Sequence, residues 1–216
     1  MELLNATKHM QYQDTPLRVG LFPFSPEFND AISVFAAEHP NVSLLPKAIL
    51  AEDWLLELSH VADGSMDVLE FASKKIAQDM NLQFMPLKKV PCVCAVTVTD
   101  VLARKESVSL DDLSGRKVGI HSRHCVDGLQ EACRQADIEL IDASEGRKSA
   151  FNICASGGAF LLALNAASHY EPLVCKPLLG GYSWLFGCVY HKNADQRVKR
   201  LLDYLKRRYS SSAMTH

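Results

Sequence analysis

Residues 17–35 read "LRVGLFPFSPEFNDAISVF" and residues 116–133 read "RKVGIHSRHCVDGLQEAC". Each stretch opens with a basic residue, Val, Gly and an aliphatic residue, the composition of a short buried strand. Each then passes through a loop containing Ser and enters an amphipathic pattern. In the first, Phe28, Ile32 and Phe35 recur at i, i+4 and i+7, which predicts a helix over 26–39 that ends at His39-Pro40. In the second, a helix is expected over 125–136. The echo continues downstream. "VSLLP" (42–46) and "IELID" (138–142) read as second strands. Helices are expected over 52–62, with Trp54, Leu55, Leu58 and Val61 facing inward, and over 148–155. "GSMDVLEF" (64–71) and "GGAFLLAL" (157–164) read as third strands, each introduced by Gly. The same order of strand, helix, strand, helix and strand thus occurs twice.

This alternation predicts an α/β fold of two similar Rossmann-like lobes with largely parallel sheets. Two crossover strands, 92–98 and 185–191, are expected to join them. Ligands of parallel sheets bind beyond the C-terminal strand ends, so the expected ligand cleft lies between the lobes. The last helix, 195–209, carries Val198, Leu201, Leu202 and Leu205 on one face and is expected to return to the first lobe. The organisation that follows is a tail or linker remnant over 1–16, lobe I over 17–89 and 181–209, lobe II over 90–180, and a tail over 210–216.

Composition excludes several classes. Formal net charge is −2, with 23 Lys and Arg against 25 Asp and Glu, so there is no global pull toward nucleic acid or an anionic membrane. The one dense basic run, Lys199, Arg200, Lys206, Arg207 and Arg208, falls toward the C-terminal end of the last predicted helix, where cations complement the dipole. The uncharged run over 149–170 is interrupted by Ser, Asn, His and a Gly pair, which a membrane span does not tolerate. "MELLNATKHMQYQD" lacks the charged and apolar regions of a signal peptide. The expectation is a soluble cytoplasmic protein with reduced thiols, and its seven Cys include no CxxC pair.

Four stretches then carry a resemblance: "LRVGLFPFSPEFNDAISVFAAEHPNVSL", "LLELSHVADGSMDVLEF", "VSLDDLSGRKVGI" and "KNADQRVKRLLDYLK". In their order and spacing, from Leu17 to about Arg207, the chain resembles the effector-binding domain of bacterial LysR-type transcriptional regulators, which share the type 2 periplasmic-binding-protein fold. The resemblance implies a small-molecule sensor that acts on transcription as a homodimer or higher homo-oligomer. It implies contact with DNA only through a helix-turn-helix domain, for which the 16 residues before the first strand leave no room. In relatives, helix one packs beside a second-lobe helix of the partner, here 26–39 against 125–136. The chain departs from the family pattern at Ala51-Glu52, where relatives often carry Ser or Thr, and at "TDVLA" after the crossing strand. Two other readings share the fold: a solute-binding protein of a transport system, and an enzyme.

The candidate ligand-binding residues are Pro23, Phe24, Ser25, Ala72, Ser73, Ser122, Arg123, His124 and Cys125. Ser25 before Pro26 is suited to cap a helix, and the same helix start attracts an anion. Arg123 is suited to fork onto a carboxylate. Two helix starts and an Arg together imply a small organic anion as effector. Glu70, closing a strand, could line the cleft. His121, His124 and Cys125 have no fourth ligand nearby, so no metal is expected. Cys125 is a candidate oxidant-sensing thiol, but no resolving Cys is identifiable. No cofactor and no catalytic constellation is expected. Gly157-Gly158 lacks the spacing and Lys of a phosphate loop.

Overall fold

In the computed structural model, which describes residues 15–22, 25–50, 53–121, 125–143 and 146–212, the sequence repeat is a repeat of strand order. The first strand, β1 (Leu17–Leu21), lies parallel to both β2 (Leu44–Ala48) and β3 (Val68–Phe71). A late strand, β9 (Ser183–Tyr190), runs antiparallel beside β3. In the second half β5 (Lys117–Ile120) lies parallel to both β6 (Glu139–Asp142) and β7 (Ala159–Ala163). There β4 (Gln83–Val96) runs antiparallel beside β7, with β8 (Val174–Pro177) on its other side. The orders β2-β1-β3-β9 and β6-β5-β7-β4 are the same arrangement built from different residues.

The chain divides into two units. Unit 1 takes the described chain up to Phe71, then Ala77–Leu87 and the chain from Gly187 onward. Unit 2 takes Ala72–Ile76 and Lys88–Phe186. Strands β4 and β9 each contribute residues to both.

The central strand of each unit carries a glycine for a steric reason. Gly20 is paired with Leu69, and Gly119 with Phe160. A Cβ on Gly20 would lie 2.6 Å from Leu69 Cδ1 and 2.8 Å from Met66 Sδ. A Cβ on Gly119 would lie 2.6 Å from both Ile153 Cδ1 and Phe160 Cδ2. Beyond each glycine the backbone repeats as well. Ile49 N–H donates to Leu21 O at 2.8 Å, and Ala143 N–H donates to Ile120 O at 2.8 Å.

In unit 1 the turn before β3 is fastened to β1. Asp67 accepts from Arg18 Nε and Nη2, each at 2.9 Å, and from the Arg18 backbone N–H at 2.8 Å. Arg18 Nη2 also donates to Gly64 O at 2.7 Å. Charge-assisted, bidentate bonds of this kind fix geometry as well as energy. The corresponding place in unit 2 is Lys117 beside Gly158, where close backbone approach replaces the ion pair. A Cβ on Gly158 would meet Lys117 O at 2.5 Å. In the same unit the "SLDD" stretch (109–112) closes on itself. Ser109 N–H donates to Asp112 Oδ2 at 3.0 Å, and Asp112 N–H to Ser109 Oγ at 3.3 Å.

Helix α1 (Pro26–Glu38) buries the predicted stripe of Phe28, Ile32 and Phe35. The last helix, here α6 (Gln196–Ser212), places Val198, Leu201, Leu202 and Leu205 in the same cluster as that stripe, together with Leu17, Val19 and Val68. It therefore does return to the first repeat. The Tyr204 ring meets Phe35 edge-on at 5.3 Å.

Helix α2 (Trp54–Ala62) corrects one expectation. Leu55 faces outward and is 57% exposed, while Glu57 is buried. The inward set is Trp54, Glu57, Leu58 and Val61, spaced i, i+3, i+4 and i+7. Glu57 is tolerated inside because Lys47 Nζ reaches both its oxygens, at 2.8 and 3.0 Å, and His60 Nδ1 lies 3.1 Å away. Pattern reading placed Leu55 inside because it is apolar; the ion pair with β2 overrides that preference.

Adding one methyl group at the glycine of a central strand forces the opposing side chains out of their positions, which costs about 1–3 kcal/mol in a packed core. Gly119→Ala should accordingly lower the urea unfolding midpoint. A midpoint equal to that of the wild type would show that the close approach at β5 is not a constraint.

Candidate functional site

The C-terminal ends of β1 and β5 are where the chain leaves the sheet toward a loop, and each is treated within its own unit. In unit 1, β1 ends at Leu21, Phe22 is buried, and α1 begins at Pro26. Pro23 and Phe24, both expected at the site, lie outside the described residues. Ser25 occupies the N-cap position, and its carbonyl accepts from the Phe28 and Asn29 N–H groups, each at 3.1 Å.

The expected side-chain cap is absent. Ser25 has ψ 65°, not the extended value that carries a hydroxyl over the first-turn N–H groups, and Oγ makes no cap bond. Ser25 is fully buried, and among the described residues Oγ has no hydrogen-bond partner. A buried hydroxyl in that state costs about 1–3 kcal/mol unless something else bonds it. The first-turn N–H groups of the 13-residue helix add partial positive charge at the same place. The junction therefore holds an unused hydroxyl at the positive end of a helix dipole.

In unit 2, β5 ends at Ile120 and delivers His121. Ser122, Arg123 and His124 lie outside the described residues. Cys125 is half-buried, but it does not start a helix as expected. Val126 forms an isolated bridge with Trp184, Gly128 turns with φ +72°, and α4 (Leu129–Gln135) begins only after it. The left-handed Gly128 fixes that start, so α4 lends no dipole to Cys125. Ala72 is half-buried and Ser73 buried, and Ser73 Oγ accepts from Ile76 N–H at 3.3 Å at the head of α3 (Lys74–Asp79). Among the other candidates, Glu70 is buried within β3, in register with Cys188.

What unit 2 brings together is a set that pattern reading missed. His121 Nε2 is hydrogen-bonded to the Tyr170 hydroxyl. The His121 ring meets Phe160 edge-on at 5.3 Å, and Phe160 stacks on Tyr170 at 5.8 Å. Burial pushes the His121 imidazole down to about 4 and raises the Tyr170 phenol well above its ordinary range. Arg147, in the first turn of α5 (Gly146–Ala155), donates to Glu171 O at 2.7 Å and lies over Phe151. The sequence signal for Tyr170 is slight: it is a polar aromatic residue closing an uncharged run, 49 positions from its partner.

Among the described residues no group of His, Cys, Asp and Glu is arranged to hold a metal ion. All seven cysteines are thiols, and five of them are buried. Burial raises the thiols of Cys92 and Cys154 to about 12 and that of Cys133 to about 11. No helix among the described residues is long and apolar enough to cross a membrane.

Neither a family model nor a curated protein matches this sequence. Solved structures do. The oxidised form of OxyR is similar over 92% of this chain and 97% of its own, at TM-score 0.66 and 20% identity. The OxyR regulatory domain from Pseudomonas aeruginosa, solved as a cysteine-to-aspartate mutant, is similar over 89% and 97%, at TM-score 0.59 and 17% identity. Full-length CbnR complexed with its target DNA is similar over 96% and 75%, at TM-score 0.64 and 12% identity. The chain has the fold of these regulatory domains. That is the type 2 periplasmic-binding-protein kind of α/β fold, as the four sequence stretches led us to expect.

Two measurements follow from the geometry. Ser25→Ala removes a buried hydroxyl that caps nothing, so unfolding free energy should stay level or rise by up to about 1 kcal/mol; a loss of that size would restore the cap. The second concerns pH. The unfolded chain takes up a proton on His121 near pH 6.5, whereas the folded chain resists until about 4. The neutral ring thus supports the fold fully above pH 6.5, and this support declines as pH falls toward 4. His121→Gln should flatten that part of the stability profile, and an unchanged slope would contradict the assignment.

Proposed function

We propose that this chain is the effector-sensing domain of a LysR-type transcriptional regulator and that it binds a small organic anion without transforming it. The observation that carries this reading is Ser25 Oγ, buried without a described partner at the N-terminal end of α1, where the positive helix end favours an anion. Support comes from the structural neighbours, one of which is CbnR on its target DNA and another a Pseudomonas aeruginosa protein assigned to the LysR family of transcriptional regulators. In this reading Arg123 holds the effector carboxylate, with Ser122, His124, Pro23, Phe24, Ala72 and Ser73 around it. DNA is reached through a domain outside these 216 residues, in the bacterial cytoplasm. The chain self-associates through α1, whose Ala37 is exposed and Val34 half-buried.

A second reading has its own observation. Several neighbours are OxyR in oxidised and reduced forms, and one is a cysteine-to-serine mutant of Corynebacterium glutamicum OxyR described as H2O2-bound. Cys125 is half-buried in this chain, whereas Cys133 is buried and its thiol raised by burial. Cys175 is half-buried as well, but burial raises its thiol, so Cys125 is the candidate thiol for such chemistry in this reading. A peroxide would take its sulfur to the sulfenic acid and itself leave as water. Treatment with hydrogen peroxide followed by dimedone and mass spectrometry should then label Cys125 first, and labelling spread evenly over the cysteines would count against it.

The effector reading is tested by calorimetry with the small organic acid that most raises the melting temperature. Arg123→Ala removes a charge-assisted bond worth about 1.5–3 kcal/mol, so affinity should fall roughly 10- to 100-fold. Equal affinity for that acid, or a cation as the best ligand, would overturn the anion site.

A further inference from the structure

Charge is unevenly distributed in this chain. Helix α6 holds six of the 23 Lys and Arg and one of the 25 Asp and Glu, which leaves a formal −7 on the remainder. Its inner face is buried in unit 1, and its outer face exposes Lys199, Arg200, Asp203, Lys206, Arg207 and Arg208. Beside it, α1 shows the opposite sign. No Lys or Arg occurs between Arg18 and Lys47, and α1 exposes Glu27, Asp30, Ser33, Ala37 and Glu38. The two helices run antiparallel. Tyr204 meets Phe35 and His39 at the end of α1. Burial and then the carboxylates of Glu70 and Glu27 raise the Tyr209 phenol, so the later part of α6 lies near the start of α1.

The helix dipoles account for only part of this pattern. Glu27 and Asp30 at the start of α1, and Arg207 and Arg208 toward the end of α6, complement their own helices. Lys199 and Arg200 stand near the positive start of α6, and Glu38 at the negative end of α1, where each opposes its helix. Among the described residues Asp30, Glu38, Lys199, Arg200 and Lys206 form no ion pair. The spacings match. Asp30 and Glu38 are about 12 Å apart along α1, and Lys199 and Lys206 about 10 Å apart along α6. An α1 laid antiparallel on another α6 brings Asp30 to Lys206 and Glu38 to Lys199 and Arg200, with the small Ser33 and Ala37 around Asp203.

We infer that the partner of this surface is a second copy of the same chain, docked two-fold symmetrically so that α1 of each copy lies against α6 of the other. A two-fold contact makes every pair twice, so both acidic faces and both basic faces are matched at once. DNA or an anionic membrane would take the cations of α6 but would be repelled by the acids of α1 beside them. The inference rests on the self-association through α1 proposed above and names what lies opposite α1, in place of the second-lobe helix that the family resemblance implies.

The test is analytical ultracentrifugation of the wild type and two surface variants of the full chain, alone and mixed, at equal protein concentration. One variant carries Asp30→Lys and Glu38→Lys, the other Lys199→Glu and Lys206→Glu. All four positions are exposed, and circular dichroism checks that both variants are folded. The wild type should be a dimer. Each variant alone sets like charges against each other in both halves of the contact, so its dissociation constant should rise at least about 10-fold. An equimolar mixture should recover the dimer, because the reversed α1 of one chain meets the reversed α6 of the other and the two native faces meet as well. The wild-type dimer should itself weaken about 10-fold in about 1 M salt, where the screening length is about 3 Å; this arm decides even where a variant does not fold. If the wild type dimerises but salt or both reversals leave the dimer unchanged, or the mixture does not recover it, the inference fails alone. A monomeric wild type defeats the self-association reading and the inference with it. Lys199- and Lys206-dependent binding of that monomer to a DNA duplex or to phosphatidylserine vesicles would give α6 another occupant.

Discussion

A single missing Cβ organises each half of this protein. Gly20 and Gly119 lie in the central strands β1 and β5, where the neighbouring strand and, in unit 2, helix α5 press so close that even a methyl group would sit 2.6 Å from another side chain. This closeness lets Leu69 and Met66 in one unit, and Ile153 and Phe160 in the other, pack across the strand. It also explains why the first strand can be central: it accepts a parallel partner on both sides. Val19 and Gly20 in β1, and Val118 to Ile120 in β5, are buried. In such sheets the C-terminal strand end is where a ligand can be reached.

Much of this was legible in the chain. The two Val-Gly-aliphatic stretches share a pattern because they meet the same steric demand, and the i, i+4, i+7 stripe of α1 marks its buried face. Asp67 could be read as part of a turn, though not as the carboxylate that fastens Arg18. What escaped reading depended on partners distant in sequence. Glu57 goes inward because Lys47 waits on a neighbouring strand, and His121 meets Tyr170 across 49 residues. The late start of α4 was hidden for a different reason. The apolar spacing after Cys125 suits a helix, but Val126 is taken by a bridge to Trp184 and Gly128 resets the backbone.

The same contrast runs through the candidate site. Ser25 looked like a cap because Ser before Pro is a common way to begin a helix. The fold uses its carbonyl for that purpose and leaves its hydroxyl unused. A polar group kept inside without a partner is a cost that stability alone does not explain. In the proposed reading a ligand oxygen at that position would satisfy the hydroxyl and meet the positive end of α1 together. At the equivalent strand end of the other unit, His121 is hydrogen-bonded to Tyr170. Structures of only 12–20% identity share this fold, and fold alone does not set ligand chemistry.

The central claim is that the C-terminal ends of the two glycine-bearing strands are where a small molecule binds. Amide chemical-shift mapping with the organic acid that best stabilises the chain tests it most directly. The account predicts that the largest shifts fall on 22–29 and on 121–126, with little change along the exposed face of α6. Shifts centred on α6 and its basic residues, with the two strand ends silent, would contradict it.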